Sequence, residues 1–262
     1  MRKHLSRIKG GHLALAATPA NITTLAISDV VGDDISSIGS GAAVPDPTTI
    51  NDVWQIVQDY HLNLPKTIEH HLCSNKAETP KTLDNSQAYV VITPNQAFAT
   101  VQKSAEQRNI EVLYLGDRIN GEASEVAKVM AAIALHLRQQ AQINQRPILL
   151  LSGGETTVTL KNPQGRGGRN SEFLLALTLA LNSAKGIYAL AADTDGIDGS
   201  EDNAGVWATP ETLNKAQICG LNPHLALQNN QAYDFFMHLD QLLITGPTRT
   251  NINDFRAILI FP

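Results

Sequence analysis

Short aliphatic runs alternate with helical stretches along most of this chain, and that alternation restricts it to layered α/β architectures. Thr24–Ser28, Tyr89–Thr93, Val112–Leu115, Ile148–Leu151, Ile187–Ala191 and Leu242–Thr245 read as strands. Between them Ala123, Val126, Ala127, Met130, Ile133, Ala134 and Leu137 recur on one face at helical spacing. Thr49 with Asp52 resembles a capping box ahead of a Val53–Val57 helix. Phe173–Leu181 is apolar nearly all round, and its Leu/Ala content favours a buried helix. The expected fold is α/β, a layered α/β/α arrangement on a largely parallel or mixed sheet. Residues 73–87 are polar, contain Pro80 and lack periodicity. They divide a piece over 1–80, too poor in strands for a parallel sheet of its own, from a fuller α/β unit over 88–262.

Composition removes several function classes. A formal net charge of −5 offers no general attraction to nucleic acid or to anionic membrane, so any anion site has to be built locally. Cys73 and Cys219 are far apart and in no C-x-x-C pattern, which points to a reducing, cytoplasmic setting. Arg2, Lys3 and Arg7 ahead of Leu13–Ala20 mimic a signal peptide, but Lys9 and His12 interrupt it.

Ligands of open α/β sheets sit beyond the carboxyl ends of strands. Four predicted strands run into polar, Gly-rich loops: Ser28–Asp34 continuing to Ser40-Gly41, Ser152–Thr157, Asp193–Gly199 and Thr245–Asn251. Turn and cap chemistry alone makes such loops, yet four on one sheet edge favour a ligand site. Gly165-Arg166-Gly167-Gly168-Arg169-Asn170 leads into the buried helix. Its glycines, the helix N-terminus capped by Asn170 or Ser171, and a forked arginine suit an anion; a solvated hairpin is the bland alternative. Arg169 ranks ahead of Arg166 because it lies nearer the helix start. Lys9-Gly10-Gly11 is a weaker version of the same pattern, more often a plain helix end. Asp193, Asp195 and Asp198 can hold Mg²⁺ or merely cap a helix. The sequence has no P-loop, G-x-G-x-x-G, G-x-S-x-G or H-E-x-x-H.

Taken together these segments resemble the glycerate 2-kinase family of MOFRL type, over essentially the whole chain. Arg2–Gly11, Ser28-Asp29-Val30 with Gly32-Asp33, and Ser40-Gly41 through Val44–Thr49 are similar to the later part of that family's N-terminal, Rossmann-like domain. Ser152–Thr157, Gly167–Asn170 with Glu172, Thr194–Gly199 and Thr245–Thr248 with Thr250-Asn251 resemble its MOFRL domain, here about residues 146–260. The resemblance implies ATP- and Mg²⁺-dependent phosphorylation of D-glycerate at the 2-hydroxyl, with Arg169 as the catalytic arginine. It implies substrate or phosphate contacts from Lys9, Gly10, Gly11, Asp29, Ser40, Gly41, Ser152, Gly153, Gly154, Glu155, Thr156, Gly167, Gly168, Asn170 and Thr248, and metal contacts from Asp195 and Asp198. Ala42-Ala43 replaces the family's usual Pro-Thr, and the family's earlier segment with a G-K-A-type lysine has no counterpart. The expectation is therefore an N-terminally truncated kinase, impaired alone, with an exposed sheet edge and a second chain or a homo-oligomer completing it. The alternatives are a non-catalytic phosphate- or glycerate-binding remnant and, last, an NAD(P)H-dependent hydroxypyruvate reductase.

Overall fold

The computed structural model describes residues 1–262, apart from the side chain of Asn75. It contains two compact units, Met1–Thr93 and Pro94–Pro262. In the first, β1 (Ile22–Ile27) pairs in parallel with β2 (Ser86–Ile92). Because β2 is hydrogen-bonded along β1, the boundary falls after residue 93, later than the 73–87 linker suggested. Helices α1 (His12–Ala17), α2 (Ile50–Asp59) and α3 (Lys66–Leu72) complete this unit. The capping box at the start of α2 is present, Thr49 accepting from the Asp52 amide and Asp52 from the Thr49 amide. The apolar centre is small: Val53, Leu72 and Ala77, with Ile50, Trp54, Leu64 and Ile68 against it. One face of the β1–β2 pair leaves Leu25, Ile27, Tyr89 and Ile92 exposed, although parallel sheets are ordinarily covered on both faces.

The second unit contains α4 (Pro94–Glu106), β3 (Glu111–Tyr114), β4 (Ile119–Glu122), α5 (Ala123–Asn144), β5 (Ile148–Ser152), β6 (Gly154–Thr157) and α6 (Arg169–Leu181). It continues through β7 (Ile187–Asp193), β8 (Gly205–Ala208), α7 (Thr212–Ile218), α8 (Pro223–Gln228), α9 (Ala232–His238), β9 (Leu242–Leu243) and β10 (Asp254–Ile260). The main sheet has the order β3-β5-β10-β7-β8-β9, and β4 pairs separately with β6. Its pairings are antiparallel except β3 with β5, so the sheet is mixed rather than largely parallel.

That pairing gives β5, β7 and β9 a common direction. Their carboxyl ends, and the polar segments that follow them, therefore share one edge of the sheet. The fourth segment, Ser28–Asp34, follows β1, a strand of the other unit's own sheet. Helix α5 presents Ala123, Ala127, Ala131, Ala134 and Ala141 to the core, small residues that allow close helix approach. Helix α6 is buried from Asn170 to Thr178. Phe173, fully buried, stabilises by about 1.5–3 kcal/mol through burial alone.

Candidate functional site

The second unit's site is organised by β10, which the sequence pattern did not reveal. Register places Arg256 opposite Ser152 on one side and Ala191 on the other, and Asp254 opposite Asp193. Arg256 and Asp254 are both fully buried. Arg256 donates from Nη1 to the carbonyl of Gly153 (3.0 Å) and from Nη2 to Thr156 Oγ1 (3.2 Å) and Asp254 Oδ2. Its guanidinium also lies 5.2 Å from the centroid of the Phe173 ring. Burial lowers the Arg256 pKa despite the opposing pull of Asp254.

Asp254 carries the arrangement outward. Its Oδ2 also accepts from the Thr156 amide (3.2 Å), and its Oδ1 accepts from Arg169 Nε (2.7 Å) and Asn170 Nδ2 (2.8 Å). Arg169 donates further from Nη2 to Asp193 (2.6 Å) and from Nη1 to Glu155 (3.2 Å). Three of the five guanidinium N–H groups hold the side chain still, and two remain for an incoming group. Desolvation works against the Arg169 charge, but Asp254, Asp193 and Glu155 outweigh it and the pKa is raised. Asp193 is buried; desolvation, with Asp195 and Asp254 nearby, pushes its pKa up to about 6 against the contrary pull of Arg169.

Arg169 opens onto a pocket of about 340 Å³ lined by Thr156, Gly167, Gly168, Glu172, Gly199 and Asn230, with Val158 and Leu160 as apolar wall. Glu172 is buried there and accepts from Asn230 Nδ2 (2.9 Å); burial raises its pKa. Gly168 has a steric reason, since a Cβ there would lie 2.3 Å from Asp198 Oδ1.

Several expected roles change on this geometry. Asp198 is the cap of α6: its oxygens accept from the Asn170 amide (2.9 Å), the Ser171 amide (2.8 Å) and Ser171 Oγ (2.6 Å). It is fully buried, it serves the helix, and it occupies the amides expected to greet an anion. Asn170 is likewise buried, its Nδ2 tied to Asp254, so it is not the side-chain cap of α6. Asp195 accepts from the Ile197 amide (2.8 Å), a local turn bond. Among the described residues no group of three His, Cys, Asp or Glu side chains is placed to hold a metal ion.

Gly153 packs against Phe98, whose ring a Cβ would meet at 2.6 Å. Gly154 begins strand β6 at φ +111°, where its Cβ would strike the Ile119 carbonyl at 2.1 Å. Both glycines thus serve packing, and the segment after β5 turns into a strand instead of a phosphate loop. Arg166 is a clamp, donating to Glu201 (3.0 Å from Nε) and Asp234 (2.9 Å from Nη1) and stacked 4.5 Å from the Tyr233 ring centroid. Thr248 joins two loops, its amide bonded to the Asp195 carbonyl (2.8 Å) and its hydroxyl to the Thr194 carbonyl (2.6 Å). Ser152 Oγ, Asn170 Oδ1 and Arg256 Nε are buried with no hydrogen-bond partner among the described residues. These three orphaned groups on one constellation fit a site completed by water or ligand.

Lys9, Gly10, Gly11, Asp29, Ser40 and Gly41 lie in the first unit. The Gly10 and Gly11 amides donate to the carbonyls of Ser40 (2.9 Å) and Gly41 (2.8 Å), which leaves neither for an anion. Lys9 Nζ donates to the Gly39 carbonyl (3.2 Å).

Comparison with known proteins adds the family context. The MOFRL family profile matches residues 148–254, and a domain of unknown function, DUF4147, matches residues 1–73. Two Agrobacterium vitis proteins named "Putative hydroxypyruvate reductase" are 47% and 45% identical over 99% of this chain, which spans 60% and 68% of their lengths. The crystal structure of a glycerate kinase from Thermotoga maritima superposes with a TM-score of 0.84 at 32% identity, over 100% of this chain and 62% of that one.

Proposed function

Because this chain belongs to the MOFRL-type glycerate 2-kinase family, we propose that it serves phosphoryl transfer from ATP to the 2-hydroxyl of D-glycerate. The observation that carries the reading is Arg169: fixed by three carboxylates, partly exposed, and facing a pocket with two N–H donors to spare. A donor held this rigidly can meet charge developing on a transferring phosphoryl group without reorganising, the dominant contribution in such reactions. In the step, the glycerate oxygen forms a bond to the γ-phosphorus as the bond to the ADP oxygen breaks, and the hydroxyl proton leaves to solvent. Glu172, held by Asn230 at the pocket wall, supplies an acceptor for a substrate hydroxyl. Mg²⁺ belongs to this proposal only as the companion of the nucleotide's phosphates.

A reductase would need a dinucleotide cradle, and no G-x-G-x-x-G follows a strand in this sequence. No helix is long and apolar enough to cross a membrane among the described residues. Cytoplasmic location is part of the proposal, supported by Cys73 and Cys219 being unpaired and exposed.

The test is an assay of the purified chain with D-glycerate, ATP and Mg²⁺, counting 2-phosphoglycerate. Arg169→Gln should lower kcat by about a thousandfold, with Arg169→Lys recovering part of it. Wild-type turnover that survives Arg169→Gln within about threefold would sink the assignment. Absent turnover with retained glycerate or ATP binding would favour a binding-only role.

A further inference from the structure

A second pocket lies wholly within the first unit. It is an open cleft of about 670 Å³, and Ser6, Arg7, His12, Thr67, His71 and Lys76 supply its polar lining. Leu5 and Ile68 form an apolar wall. No carboxylate lines it among the described residues. The unit as a whole carries nine Asp and Glu against seven Lys and Arg over residues 1–93, so this positive lining is not the overflow of a basic surface. Lys3 and Lys81 are engaged by Asp46 and Glu78, whereas Arg7 and Lys76 have no carboxylate partner among the described residues.

Two of the polar groups are already oriented. His71 Nε2 is 2.9 Å from the His4 carbonyl, so that nitrogen carries the proton and the ring is fixed. Ser6 Oγ accepts from the amides of Ile8 (3.3 Å) and Lys9 (3.2 Å), which leaves its own hydrogen to donate. We propose that this pocket binds the phosphate group of a small phosphorylated molecule. Two permanent cations and two imidazoles, brought together from separate segments, match a dianion better than a monocarboxylate. The volume exceeds what a bare phosphate fills, and Leu5 with Ile68 offers contact for the rest of the molecule. The site stands independently of the chemistry assigned to Arg169.

Calorimetric titration of the full chain tests this, using inorganic phosphate, glycerol 3-phosphate and acetate as probes. An Arg169→Gln background removes the other anion site. Saturable 1:1 binding of phosphate that survives Arg169→Gln, and weakens at least about tenfold in Arg7→Gln/Lys76→Gln, is expected. Both side chains are exposed, so that variant keeps the fold; a circular dichroism spectrum matching wild type verifies it. Tighter binding of glycerol 3-phosphate than of phosphate supports a phosphorylated molecule as ligand. Absent saturation, indifference to Arg7 and Lys76, equal binding of acetate, or no gain from the glycerol moiety would each overturn the proposal.

Discussion

Replacing Arg256 by Met removes the hub of the second unit while roughly conserving side-chain length. Three hydrogen bonds disappear, to Gly153, Thr156 and Asp254. The larger effect falls on Asp254, which stays fully buried as a carboxylate with Arg169 as its remaining cationic partner. Breaking a buried ion pair from one side costs about 3–5 kcal/mol. Because Arg169 persists, the loss should sit near the lower end, about 3 kcal/mol. For a unit of this size each kcal/mol moves Tm by about 2–4 °C, giving a fall of roughly 6–12 °C. Urea unfolding should be followed by Trp207 on β8, in a Trp54→Phe background so that the signal reports the second unit alone. The double variant Arg256→Met/Asp254→Leu should not recover wild-type stability. An apolar residue at 254 orphans the Thr156 amide and Arg169 Nε and leaves Asn170 Nδ2 only its long bond to Asp198. A loss below about 1 kcal/mol in the single variant, or a double variant more stable than wild type, would refute the reasoning.

Gly168→Ala should destabilise by about 1–3 kcal/mol, because its Cβ displaces the Asp198 cap of α6; thermal melts of this variant and Asp198→Ala should show similar, non-additive losses. Asp46 is desolvated, yet Lys3 and Thr48 hold its pKa down to about 2, below the unfolded value of 3.8. Its contribution, on the order of 2 kcal/mol, is present above pH 3.8 and lost as pH falls toward 2; Asp46→Asn, followed by Trp54 fluorescence, should abolish that acid-limb slope. Asp193 has the opposite sign, its folded pKa near 6 against 3.8 unfolded. Its stabilisation is full below pH 3.8 and lost as pH rises through 6, so Asp193→Asn should flatten stability across that window. An unchanged slope would remove Asp193 from the account.

The α/β class, the two helices of the main core and the segments that carry the polar residues can all be read from the residues in order. These follow from local periodicity and composition: the alanine face of α5 and the all-apolar α6 declare themselves within one helix. Arg169 too was legible, as an arginine between a glycine run and a buried helix. Which carboxylates hold it depends on strands brought together from distant parts of the chain. β10 buries Asp254, Arg256, Ile258 and Ile260 on one face and half-covers Phe255, Ala257 and Leu259 on the other. Its two charged residues therefore occupy positions that a hydropathy pattern assigns to the solvent face, and the strand is invisible to periodicity. Their burial is tolerable because each satisfies the other and the neighbouring backbone, a condition that exists after β5, β7 and α6 have come together. The same holds for Asp198, whose role as the cap of α6 exists only once the α6 amides arrive beside it.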